Sequence, residues 1–343
     1  MRPDAIENVG QLEERLSEPS PGAIETLARL EGDLLILGVG GKMGPTLARM
    51  ARRASDAAGV RRRVLGASRF SSPRLETMLR DHGVETIRCD LLDPEQLGRL
   101  PDVPNVVFMT GMKFGSTGQE ALTWAMNVWL PGMVGRKFRS SRIVAFSTGN
   151  VYGLSPVALG GSVESDPPRP LGDYAMSCLG RERILEYFSR LHDTPLVLLR
   201  LNYATELRYG ALADIARRVF AGEAIDLAMG HLNAIWQADA NAVALQAFSL
   251  VASPPRVLNV AGPELLSVLR VAEEFGRLFG KPVTFRGTES PDALLSNAQQ
   301  AHQLFGYPRV GVRQLVEWIA DWVRRGGEDL GRPTHFEVRD GNF

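Results

Sequence analysis

Cysteine is nearly absent from this chain of 343 residues: Cys89 and Cys178 stand alone, which excludes a disulfide framework and any cysteine-based metal spacing. Lysine is scarce as well, with only Lys42, Lys113, Lys137 and Lys281. An excess of either charge is also lacking, since 39 Lys and Arg balance 39 Asp and Glu. That balance offers no broad basic surface to nucleic acid, and the run Arg61-Arg62-Arg63 reads as a solvated loop or strand start. No apolar run is long enough to span a bilayer, and Met1-Arg2-Pro3-Asp4 does not open a signal peptide. With 44% hydrophobic and 23% charged residues, the composition is that of a globular protein expected in a reducing cytoplasm, without metal, nucleic-acid or membrane partners.

What the chain does have is a glycine turn set between a strand and a helix. Leu34-Leu35-Ile36-Leu37 is a short apolar run suited to a buried parallel strand, and Pro45-Thr46-Leu47-Ala48-Arg49-Met50-Ala51 carries helical spacing. Between them lies Gly38-Val39-Gly40-Gly41-Lys42-Met43-Gly44. Such a junction gathers free backbone N–H groups and the positive end of a helix dipole where a pyrophosphate can bind. In that reading Gly38 allows the tight turn, Gly41 the approach of phosphates and Gly44 the close packing of helix on strand. A dinucleotide-binding unit for NAD places an acidic residue about 20 residues further on. Here Ser68-Arg69 ends the second strand, and a hydroxyl and a cation suit a 2′-phosphate, so NADP is expected ahead of NAD.

Further apolar segments end at Asp90-Leu91, at Thr110-Gly111-Met112-Lys113, at Ser147-Thr148 and at Leu201, and helical patterns lie between them at 119–137, kinked at Pro131, and at 174–192. This alternation predicts an α/β fold, a doubly wound parallel sheet of Rossmann type with its cleft at the carboxyl ends of the strands. The expected division is a helical extension over 1–31, a dinucleotide-binding domain over 32–202 with 237–262, and a smaller substrate-binding region from 203–236 and 263–343.

Over about residues 33 to 325 the chain resembles the extended short-chain dehydrogenase/reductase family, the NAD-dependent epimerase/dehydratase group acting largely on nucleotide sugars. The glycines Gly38, Gly41 and Gly44 fit its spacing, and Ser147-Thr148-Gly149-Asn150-Val151-Tyr152-Gly153 resembles its Ser-Ser-x-x-Val-Tyr-Gly block. Arg200-Leu201-Asn202-Tyr203 and Leu304-Phe305-Gly306-Tyr307 resemble its later signatures. The resemblance implies that Gly38, Gly41, Lys42, Met43, Gly44, Ser68, Arg69, Asp90, Leu91, Thr110, Gly111, Lys113, Asn127 and Tyr174 surround the cofactor. It implies catalysis by Thr148 and Tyr174, and a homodimer formed through the helices at 119–137 and 174–192. Asn150, Asn202, Arg208 and Trp236 are the candidates for binding a small-molecule substrate, expected to be sugar-derived, although an aromatic at 236 equally suits the core and an arginine at 208 equally suits the surface.

The family's lysine, four residues after its tyrosine, is missing. A tyrosine has a pKa of about 10, and an adjacent ammonium brings it toward working pH. The sequence here is Tyr174-Ala175-Met176-Ser177-Cys178, and a neutral thiol supplies neither the charge nor the donors. Lys113, the lysine best placed at the cleft, or the cofactor's own positive charge is expected to compensate. Cys178 has three open roles: an inert buried residue, a bystander in an altered relay on Thr148 and Tyr174, or itself an acid, base or nucleophile. The expectation is therefore an NAD(P)-dependent oxidoreductase or epimerase, with a catalytically weak NADP(H) sensor or scaffold as the alternative.

Overall fold

The structure, a computed structural model, describes residues 5–113, 115 and 117–341. Seven strands form one parallel sheet: β1 (Leu34–Leu37), β2 (Val64–Ser68), β3 (Glu85–Arg88), β4 (Asn105–Phe108), β5 (Arg142–Thr148), β6 (Leu196–Leu201) and β7 (Arg256–Val260). Their order across the sheet is β7-β6-β5-β4-β1-β2-β3. The order reverses between β1 and β4, and a crevice opens beyond the carboxyl ends of strands at such a point.

Both faces of the sheet are covered, so its inner strands are largely apolar, while the edge strand β3 keeps Glu85 and Arg88 exposed. In β1, Leu34 and Ile36 enter one core cluster while Leu35 and Leu37 enter the other, the period of two expected of a strand. The Gly44–Ala57 helix packs on the first face, together with two short N-terminal helices, Val9–Leu16 and Pro21–Arg29. The Leu130–Lys137 and Gly172–His192 helices supply the second face, through Leu130, Val134 and Leu185.

The expected kink in the 119–137 helix is placed differently from its prediction. The chain is α-helical over Glu120–Trp124, widens to a π turn over Ala125–Trp129 and returns to α over Leu130–Lys137. Pro131 has no N–H to offer the Asn127 carbonyl four residues back, and its ring crowds that carbonyl, so the chain widens just before the proline. The π turn carries Asn127, which is fully buried.

The N-terminal helices are fastened by charge as well as by packing. Arg49 pairs with Glu14, Arg53 reaches Glu14 at 3.1 Å, and Arg325 donates to the carbonyls of Ile6 and Glu7. Among the described residues, no helix is long and apolar enough to cross a membrane.

Candidate functional site

The glycine turn meets the end of β4 at the point of reversal. Gly38 has φ +89°, and a Cβ there would lie 2.4 Å from Thr110 Oγ1 and 3.0 Å from the Thr110 backbone nitrogen. A Cβ on Gly44 would lie 2.3 Å from the Val39 carbonyl oxygen, so this glycine sets the helix against the strand. Gly41 is exposed, and only the Gly38 carbonyl stands near its missing Cβ, at 3.3 Å. No side chain caps the Gly44–Ala57 helix, whose first-turn N–H groups are left to other partners. The Thr110 hydroxyl is buried with no hydrogen-bond partner. An uncapped helix start, an open glycine and an orphaned hydroxyl fit the pyrophosphate and ribose of a dinucleotide.

Ser68 lies beside this turn, since a Cβ on Gly40 would fall 2.4 Å from its hydroxyl oxygen. Arg69 follows it, exposed at the end of β2. Asp90 is half-buried, and its Oδ1 accepts from the Leu92 N–H at 3.1 Å. Met43 and Leu91 turn their side chains into the core, leaving only backbone to a ligand.

Lys42 takes an unexpected course. Its ammonium crosses from the glycine turn to the opposite wall, where it donates to the Ala204 carbonyl at 3.3 Å and lies 3.4 Å from the Tyr209 ring centroid. Burial pushes its pKa down to about 7, against the pull of Glu206.

The end of β5 and the start of the Gly172–His192 helix bring Thr148, Tyr174 and Cys178 together. The Tyr174 ring packs against the cluster of Val151, Tyr152 and Cys178, and its phenol lies within electrostatic reach of the Thr148 hydroxyl and the Cys178 thiol. Asn150 donates to Thr148 Oγ1 twice, from its backbone N–H at 3.2 Å and its amide at 2.9 Å, which leaves the threonine proton free to point at the phenol. Burial, with the Cys178 thiol beside it, pushes Tyr174 far above the ordinary phenol value. The Cys178 thiol is pushed up by burial too, which disfavours its thiolate form. Lys113 stands 6.0 Å from the Tyr174 ring centroid and donates to the Thr334 carbonyl at 3.3 Å; burial lowers it to about 8.

Other expected residues have different work. Asn127 spends its amide within the protein: Oδ1 accepts from the Met112 N–H at 3.0 Å and from Arg181 at 2.6 Å, while Nδ2 donates to the Met112 carbonyl and the Ser177 hydroxyl, both at 3.0 Å. It holds the loop after β4 to the Gly172–His192 helix and does not face a ligand with its amide. Asn202 is buried beside Gly149, whose missing Cβ would lie 3.3 Å from it, and donates to the Leu294 carbonyl at 3.3 Å. Two substrate candidates are corrected. Arg208 is buried between Glu13, at 2.8 Å, and Glu206, at 3.2 Å, so its charge is consumed in joining the N-terminal extension to this wall. Trp236 is 3% exposed and packs edge-on against Trp318, 5.6 Å between centroids, in the core.

Two features escape the motif reading. Residues 331–341 fold across the site: Thr334 N and Oγ1 donate to Asp214 Oδ2 at 2.8 and 2.6 Å, and Phe336 is buried. Farther on, Gly341 lies against the Leu171–Gly172 backbone, two residues before Tyr174. The second is Arg181, two helical turns after Tyr174 and buried behind it. Only its spacing on the helix could have drawn attention to it.

Comparison with known proteins agrees with this layout. The family model described as "NAD dependent epimerase/dehydratase family" matches residues 34–205. Among solved structures, UDP-glucuronic acid 4-epimerase from Bacillus cereus, in complex with UDP-glucuronic acid and NAD, superposes with TM-score 0.69 at 19% identity, over 85% of this chain and 99% of that one. The NAD complex of dTDP-glucose 4,6-dehydratase from Bacillus anthracis gives 0.71 at 15% identity, over 86% and 97%. UDP-glucose 4-epimerase from Thermus thermophilus, complexed with NAD, gives 0.67 at 20%, over 85% and 99%. At these identities the likeness is one of fold. Comparison with curated protein sequences finds no match.

Proposed function

Because this chain belongs to the NAD-dependent epimerase/dehydratase family, a family of enzymes, we propose that it transfers hydride between NADP or NAD and a carbon of a sugar or nucleotide sugar bearing a hydroxyl or carbonyl. The observation that carries this reading is that Thr148 and Tyr174 come together at the carboxyl end of the sheet, beside the turn fitted for a dinucleotide. The nicotinamide, when bound, supplies the hydride acceptor or donor. Gly38 to Gly44 cradle the phosphates, Thr110 offers its spare hydroxyl, and Ser68 with Arg69 meets the adenosine ribose, which supports NADP ahead of NAD. Thr148 and Tyr174 together hydrogen-bond the reacting oxygen. Since Tyr174 stays a phenol at neutral pH, its resting role is to give a proton to a developing alkoxide. Lys113 stands close enough to steady that charge. The sugar substrate is supported by the UDP-glucuronic acid bound to the Bacillus cereus neighbour. An apolar stripe on the helices at 120–137 and 172–192 supports pairing of two copies.

The test is calorimetric titration with NADP, NADPH, NAD and NADH, joined to a search for isotope exchange at C4 of the nicotinamide in the presence of nucleotide sugars. Tight NADP binding with exchange is the expected result, and Arg69→Ala should weaken NADP about tenfold or more while sparing NAD. Binding without exchange from any sugar would favour the sensor reading, because Cys178 replaces the usual ammonium; no binding of any dinucleotide would end both.

A further inference from the structure

The positive charge absent from position 178 is present one helical turn further on. Arg181 follows Cys178 by three residues and Tyr174 by seven within the Gly172–His192 helix, spacings that place all three on one face. It is 5% exposed. Nη1 donates to the Phe146 carbonyl at 2.9 Å, Nη2 donates to Asn127 Oδ1 at 2.6 Å, and Nε has no partner. Among the described residues Arg181 forms no ion pair; the adjacent Glu182 is engaged by Arg200 at 2.6 Å and by the Ser147 hydroxyl at 2.6 Å. A buried guanidinium held only by neutral acceptors pays a desolvation penalty that no counter-ion offsets. The loop after β4 leaves room for it, since a Cβ on Gly111 would lie 2.5 Å from Nη2. Besides Glu182, which Arg200 and Ser147 engage, the groups near it able to develop negative charge include the Tyr174 phenol and the Cys178 thiol, and at both its field opposes the effect of burial.

We infer that Arg181 is a positioning residue that supplies, from one turn further along the helix, the positive charge that a lysine at position 178 would supply. Through Asn127 it also fixes Met112, and with it the turn that carries Lys113. The purpose of that charge rests on the hydride-transfer reading above; its place beside Cys178 does not.

The test is a double-mutant cycle on the full chain, with Cys178→Met as the neutral control of similar length. Cys178→Lys alone puts a second cation beside Arg181 and should lower Tm by about 5 °C or more, whereas Cys178→Met should cost much less. Arg181→Met should also lower Tm, because Asn127 Oδ1 and the Phe146 carbonyl lose a donor, and Arg181→Lys should recover much of that loss. In the Arg181→Met background the sign reverses: adding Cys178→Lys should raise Tm, and NADP affinity should return to within about threefold of the parent. Equal costs for Cys178→Lys in both backgrounds, or equal costs for Cys178→Lys and Cys178→Met, would overturn the inference. If the parent binds no dinucleotide, the hydride-transfer reading fails while the thermal cycle still decides the charge site. Intact binding with an additive cycle would remove the role of Arg181 alone.

Discussion

Lys42 belongs to the glycine turn by sequence and to the opposite wall by contact. Its ammonium lies over Tyr209 and near Glu206, and it has a pKa of about 7 where the unfolded chain has about 10.4. Between those values the unfolded chain holds a proton that the folded chain has released, so this residue makes stability rise with pH from about 7 to 10. Glu206, raised chiefly by its own burial, pulls the opposite way in the carboxylate range. Comparing Lys42→Met with the parent isolates the lysine: the variant's Tm, relative to the parent's, should be more favourable at about pH 6 than at about pH 9.5. The same difference at both values would mean that the ammonium is not desolvated. The residues that sequence reading reached were those held by local pattern, Gly38, Gly44, Thr148 and Tyr174. Arg208 and Trp236 were misplaced because their partners, Glu13 and Trp318, come from distant parts of the chain.

Among the elements, the strands and the glycine turn were legible because apolar runs and glycines are local signals. The π turn was not, because a proline announces a disturbance without saying whether the chain bends or widens. The pair of helices at 120–137 and 172–192 shows a further limit of pattern. Gly135 lets the backbone approach Phe188, since a Cβ there would lie 3.0 Å from the Phe188 Cβ, and a Cβ on Gly180 would lie 2.8 Å from a Val128 methyl. With the two helices so close, their larger apolar side chains are turned outward: Trp129 is 60% exposed, Tyr187 56% and Leu191 54%. Tyr187 and Leu191 are four residues apart and Met176 is eleven residues before Tyr187, so they share a face. An exposed apolar stripe of this kind marks a surface for association. The wild-type chain should sediment as two copies, and Tyr187→Arg combined with Leu191→Arg should leave one copy with unchanged secondary structure. A monomeric wild type would refute the pairing.

At the scale of the whole molecule, segments outside the sheet close the site from both ends of the described chain. The N-terminal helices reach it through Glu13 and Arg208, and residues 331–341 reach it directly. Thr334 ties Asp214 to Lys113, Glu337 pairs with Arg218 at 2.6 Å, Arg339 donates to the Asp292 carbonyl at 2.9 Å, and Gly341 meets the start of the Gly172–His192 helix. No local pattern in 331–341 announces these contacts, since each is made by a residue type common in loops. The energetic weight rests on Phe336, whose buried ring contributes about 2 to 3 kcal/mol, while the partly exposed ion pairs add little. Ending the chain at Leu330 should therefore lower Tm by about 5 °C. It should also quicken acylation of Lys113, which loses the Thr334 carbonyl and its cover, as read by peptide mass mapping after brief treatment with an amine-reactive ester. Phe336→Ala should reproduce most of the thermal loss but less of the gain in lysine reactivity, because the Asp214–Thr334–Lys113 chain stays in place. Unchanged Lys113 labelling in the shortened chain would show that the segment packs on the surface without enclosing the site.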